Sequence, residues 1–107
     1  MKRLEYEFKG RGNAGQPGAC VLAGVVGSGN LEVLMESRPD SGVCRVVVET
    51  SVTGFDETWA KVLEAFFERH ALNDLEISIN DAGATPAVVN LRLEQAVAKL
   101  RDAGGTS

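Results

Sequence analysis

The stretch WAKVLEAFFERHALNDLEISIN, residues 59–80, decides the fold, because its apolar period changes partway along. Trp59, Val62, Leu63, Phe66 and Phe67 recur at i, i+3, i+4, i+7 and i+8, the stripe of an amphipathic helix, with Glu57, Lys61, Glu64 and Glu68 on the other side. Leu75, Ile77 and Ile79 then alternate with Glu76, Ser78 and Asn80, the period of a half-buried strand. Either Thr53 or Asp56 is a candidate cap for the helix start. Working toward the C-terminus, Thr85-Pro86 offers an N-cap and a first-turn proline for a second helix. Its apolar stripe is Val89, Leu93, Ala96, Val97 and Leu100, and it is expected to end before Gly104-Gly105, leaving a flexible tail over about 103–107.

Toward the N-terminus the pattern is that of strands. Leu4, Tyr6 and Phe8 alternate with Glu5, Glu7 and Lys9, and a glycine-rich loop, residues 10–18, follows. The aliphatic run 19–26 and the alternating segment 31–36 flank Gly27-Ser28-Gly29-Asn30, the composition of a tight hairpin connection. After the turn at 38–42, residues 43–50 are rich in β-branched side chains and read as a central strand. The order β-β-β-β-α-β-α predicts an α+β two-layer sandwich over residues 1–107, a mostly antiparallel sheet with two helices on one face.

Composition narrows the function. The chain has 107 residues, 11 Lys and Arg against 15 Asp and Glu, and a formal charge of −4, which argues for one domain and against a nucleic-acid binder. No apolar run has the length of a membrane helix and charge returns too early for a signal peptide, so a cytoplasmic location is expected. Cys20 and Cys44 with a single histidine, His70, cannot make a four-ligand zinc site, so no metal is expected and both thiols read as small core residues. Gly10-Arg11-Gly12-Asn13-Ala14-Gly15 matches the dinucleotide fingerprint, but it leads to a strand where the fingerprint needs a helix N-terminus. His70 reads as a cap on free helix carbonyls, and Asp56, Glu57, Asp74 and Asp81 as caps at helix starts or loops, so no catalytic constellation emerges. Ser28 stands apart. A serine between two glycines at a hairpin tip is ordinarily a turn residue, yet the same geometry exposes its hydroxyl to a macromolecular transferase.

Three separated segments carry a family resemblance: GVVGSGNLEVL (24–34), TSVTGF (50–55), and INDAGATP (79–86) followed by VVNLRLEQA (88–96). Together they resemble the acyl carrier (delta) subunits of bacterial malonate decarboxylase. The resemblance implies a non-catalytic phosphoprotein of malonate catabolism, with phosphoribosyl dephospho-coenzyme A attached to Ser28 through a phosphodiester, and Gly27 and Gly29 supporting the hairpin. It implies as partners an acetyl/malonyl transferase subunit, decarboxylase subunits and a prosthetic-group transferase, with acetyl or malonyl carried as a thioester while malonate becomes acetate and CO2. The Gly-Ser-Gly site and strand-rich first half depart from helical acyl carrier proteins and their Asp-Ser-Leu motif. A citrate lyase type of carrier, or a small-ligand-binding or oligomerising α+β module, is the alternative. Asn80 to Ala84 reads as a turn with Gly83 at positive φ, and Asp81 and Gly83 are candidates for a docking loop near Ser28.

Overall fold

The structure, a computed structural model, describes residues 1–12 and 18–104, with side chains described as far as residue 102. Residues 13–17 of the expected glycine-rich loop and 105–107 of the expected tail lie outside them. The elements are β1 (Lys2–Lys9), β2 (Cys20–Gly24), β3 (Leu31–Ser37), β4 (Val43–Thr50), α1 (Asp56–Arg69), β5 (Leu75–Asp81) and α2 (Pro86–Gly104). The seven expected elements are all present in the expected order, and their α+β arrangement is the one the periodicities imply.

The five strands form one sheet in the order β1-β4-β5-β3-β2. Only β4 and β5 are parallel, joined by α1 as a crossover, and the other three pairings are antiparallel. Strand β5 is central, inserted between β3 and β4, so the turn at 38–42 is not a hairpin between paired strands. Alternation sets the faces: Leu31, Val33 and Met35 of β3, Cys44, Val46 and Val48 of β4, and Leu75, Ile77 and Ile79 of β5 are buried. They share one core cluster with Trp59, Leu63, Phe66 and Phe67 of α1 and Val89, Leu93, Ala96, Val97 and Leu100 of α2. The other sheet face is polar, with Arg45 Nη2 2.6 Å from Glu5 Oε1 across the β1–β4 pair.

Several boundary expectations are corrected. The aliphatic run 19–26 leaves the sheet after Gly24, whose φ of +81° turns the backbone out of the strand and leaves Val25 and Val26 exposed. Neither Thr53 nor Asp56 caps α1: Phe55 is the N-cap, with no side-chain cap bond, and Asp56 lies inside the first turn where its charge suits the helix dipole. Helix α2 begins at Pro86, with Val88 N–H donating to Thr85 Oγ1 at 3.4 Å, and runs through Gly104 rather than ending before it. Cys20 is exposed near the end of an edge strand, so only Cys44 is a core thiol, and burial pushes it up to about 11.

His70 is also placed differently from expectation. Its backbone N–H donates to Phe66 O, but its imidazole turns to α2, where Nε2 lies 2.9 Å from Glu94 Oε1. The carbonyls at the end of α1 are taken by Arg11, whose Nη2 donates to Phe67 O and, at 3.3 Å, to Glu68 O. An arginine arriving from the β1 connection is longer than a histidine on the helix itself and reaches several carbonyls at once. The described start of the GxGxxG segment thus closes a helix C-terminus, with Arg11 N–H also donating to Leu72 O at 2.8 Å.

Candidate functional site: the Ser28 hairpin and its bracket

Ser28 lies in the connection between β2 and β3 and is exposed. Asn30 N–H donates to Gly27 O at 2.9 Å, closing a four-residue turn with Ser28 and Gly29 at its centre. Gly29 has φ +71°, which a type II turn needs at its third position and which glycine takes without strain. A Cβ built on Gly27 or on Gly29 would meet nothing within 4 Å. The flanking space is therefore open to solvent, and a bulky group on the Ser28 hydroxyl would meet no steric obstacle from these two positions.

The turn is tied down from beside it. Gly29 N–H donates to Ala82 O at 2.8 Å, and Ala82 N–H donates back to Asn30 O at 2.9 Å, so the Ser28 turn and the β5–α2 connection form a reciprocal pair. The sequence singled out both loops, and the structure brings them together. Asp81 shapes the second loop. It is 4% exposed, Oδ2 accepts from the hydroxyl of the 1% exposed Thr50 at 2.8 Å, and Oδ1 accepts from Ala84 N–H at 2.9 Å. Gly83, at φ +90°, completes the turn and is exposed.

Four residues absent from the sequence-based site, Thr50, Asn30, Arg92 and Gly24, complete the bracket. Thr50 is the register partner of Asp81 across the parallel β4–β5 pair, and its Oγ1 also accepts Val52 N–H at 3.1 Å. Asn30 Oδ1 accepts both Leu31 N–H, at 2.8 Å, and Arg92 Nε–H, at 3.1 Å, linking the hairpin to α2. Gly24 marks where Arg92 crosses: a Cβ there would stand 2.2 Å from Leu31 O and 3.0 Å from Arg92 Cδ. Asn30 carried a signal as the last residue of the GSGN turn, whereas Arg92 looks like any outward-facing helix residue until the strands are placed.

Beside this bracket a cleft of about 290 Å³ opens between the first turns of α1 and α2. Val52, Phe55, Trp59, Val62, Ala84 and Val89 supply its apolar walls, with Thr50 and Asp81 among its polar groups. The remaining acidic candidates are structural: Asp74, at φ +55°, accepts Gly42 N–H at 2.7 Å and closes the β3–β4 turn. Asp56 carries a carbonyl that accepts the Tyr6 hydroxyl at 3.0 Å, and Glu57 is exposed in the first turn of α1. Among the described residues no group of three or more His, Cys, Asp or Glu is placed to hold a metal ion, and no helix is long and apolar enough to cross a membrane.

Comparisons with known proteins point to one family. The family model for the malonate decarboxylase delta subunit (MdcD), an acyl carrier protein, matches residues 19–100, from β2 to the last turns of α2. The malonate decarboxylase acyl carrier protein of Xanthomonas campestris pv. campestris (strain B100) is 52% identical over 103 residues, covering 96% of this chain and 98% of the relative. That of Burkholderia cepacia is 56% identical over 100 residues, covering 94% and 91%. Among solved structures, a chain of a Pseudomonas malonate decarboxylase hetero-tetramer in complex with malonate superposes with a TM-score of 0.79 at 43% identity, covering 94% of this chain and 99% of that one. The chain belongs to the malonate decarboxylase delta-subunit family of acyl carrier proteins.

Proposed function

We propose that this chain is the non-catalytic acyl carrier of a cytoplasmic malonate decarboxylase, with phosphoribosyl dephospho-coenzyme A joined to Ser28 Oγ through a phosphodiester. The observation that carries this is the exposed serine at the centre of a closed turn whose two flanking glycines leave open space. The site fits such a group. Its anchor atom is accessible, its backbone is held by hydrogen bonds to Ala82, and a guanidinium stands at its base. When bound, the group supplies a thiol that holds acetyl or malonyl as a thioester, an electron sink that a free carboxylate lacks.

What the chain's own residues contribute is anchorage and address. Gly27, Gly29 and Asn30 hold the backbone of the turn that carries Ser28, and the Thr50–Asp81 contact braces the loop hydrogen-bonded to it. Asp81 has both oxygens engaged internally, so its part in docking is to hold the loop's shape while exposed Gly83 lets a partner approach closely. The partners are the acetyl/malonyl transferase and decarboxylase subunits, and the transferase that attaches the group. Tethering raises the acyl group's local concentration at each of them in turn.

The test is acyl transfer onto protein produced with its maturation enzymes and mixed with the transferase subunit. Labelled acetyl bound in a hydroxylamine-sensitive linkage is expected on the wild type and absent from Ser28→Ala. Label retained by Ser28→Ala would overturn the assignment.

A further inference from the structure

We propose that Arg92 is a phosphate-binding residue, seating the phosphodiester carried by Ser28 against the base of the hairpin; this rests on the reading of Ser28 as the attachment point. The guanidinium is held in place but not neutralised. Nε–H donates to Asn30 Oδ1 at 3.1 Å and Nη1 donates to Gln95 Oε1 at 2.9 Å, both uncharged amide oxygens. Arg3 and Arg45 are matched to Glu5, Arg38 to Glu36 and Arg69 to Glu94, while Arg11 is spent on the carbonyls at the end of α1 and Arg101 faces the His70 ring. Among the described residues Arg92 has no carboxylate within 4.0 Å. A half-buried cation fixed by two neutral acceptors retains its full charge for an external anion.

Its position selects the anion. Asn30, which holds Nε–H, also closes the turn, and Ser28 is two residues away, so their Cα atoms are within about 7 Å of each other. A phosphorus atom would sit one bond beyond Ser28 Oγ. Arg92 is held by the residue that closes the same turn, so a phosphate on Ser28 would be tethered to the turn that the guanidinium braces. Gly24 leaves room for the Arg92 side chain to cross here. A side chain there would strike Leu31 O and the Arg92 stem, so glycine lets Arg92 lie across the strand end toward the turn. Nη2 makes no hydrogen bond among the described residues, leaving N–H groups for a phosphate oxygen.

The experiment compares loaded and unloaded protein by NMR of the Arg92 guanidinium N–H groups, and by melting temperature for the wild type, Arg92→Gln and Arg92→Lys. Loading is expected to shift the Arg92 resonances and slow their exchange with water. It should also raise the wild-type melting temperature by an increment that Arg92→Gln loses and Arg92→Lys retains in part. The resonance comparison uses wild-type protein alone, so it decides the matter even if glutamine at 92 weakens the fold. Loaded wild-type protein with unmoved Arg92 resonances would overturn this inference alone. A wild type unmodified at Ser28 after exposure to active maturation enzymes would overturn both this and the carrier reading.

Discussion

Removing the Asp81 carboxylate tests the bracket that holds the Ser28 turn. In Asp81→Ala, Ala84 N–H loses its acceptor at 2.9 Å and Thr50 loses the 2.8 Å acceptor of its buried hydroxyl. Each unmade bond to a buried polar group costs about 1–3 kcal/mol. Thr50 has partial relief, because its hydroxyl can redirect to Val52 O, already 3.3 Å away. The total expected is about 3 kcal/mol. At roughly 4–8 °C per kcal/mol for a domain near this size, the melting temperature should fall by about 12–24 °C. Asp81→Asn keeps an oxygen for Ala84 and offers an amide to Thr50, so it should cost only about 1 kcal/mol. Urea unfolding followed by fluorescence of Trp59, a core residue beside the same cleft, gives both values. A loss below about 1 kcal/mol for Asp81→Ala would refute the bracket. The Thr50→Val, Asp81→Ala double mutant should show coupling of about 1 kcal/mol. If a folded Asp81→Ala is loaded and turned over like the wild type, Asp81 serves stability alone and the docking loop reduces to a turn.

Further outcomes follow from the same geometry. Ser28→Ala should change unfolding free energy by no more than about 0.5 kcal/mol, because an exposed turn hydroxyl buries little, and a larger loss in urea titration would mark it as structural. Gly24→Ala should cost about 2 kcal/mol or more by the same assay, since its φ of +81° is strained for alanine and the new Cβ meets Leu31 O. The His70 contact, and then that of Arg69, holds the Glu94 carboxyl below its ordinary value near 4.5. A depressed carboxylate stabilises the fold above that value and the gain disappears as pH falls through the folded value. The wild-type advantage over Glu94→Gln should therefore vanish in acid, with an amplitude under about 1 kcal/mol because the pair is partly exposed. Finally, a thiol reagent at pH 8 should label Cys20 quickly, while Cys44 reacts only on unfolding.

The elements were legible in the sequence because each has a clean period: α1 in Trp59, Leu63 and Phe66, and β5 in Leu75, Ile77 and Ile79. What the periods could not supply was which strands pair. That β5 enters between β3 and β4 is a long-range outcome, and only there do Thr50 and Asp81 become neighbours. The same holds for Arg92, whose place beside Asn30 depends on how α2 crosses the β2–β3 end of the sheet. The misjudged caps have local causes. Asp56 is a good N-cap type and His70 a good C-terminal type, but Phe55 begins α1 and Arg11, from 56 residues away, reaches the carbonyl of Phe67 first. Val25 and Val26 extended an aliphatic run, yet one glycine at positive φ ended the strand before them. Ser28 stands out as an exposed turn hydroxyl, and only the family resemblance, not its local spacing, points to it as an attachment point.

The central claim is most directly tested by the intact mass of the protein produced together with its maturation enzymes, followed by fragmentation of the peptide spanning 25–31. A single increment equal to phosphoribosyl dephospho-coenzyme A, localised to Ser28 and lost in Ser28→Ala, is the result expected. An unmodified chain, or an increment on any other residue, would contradict it.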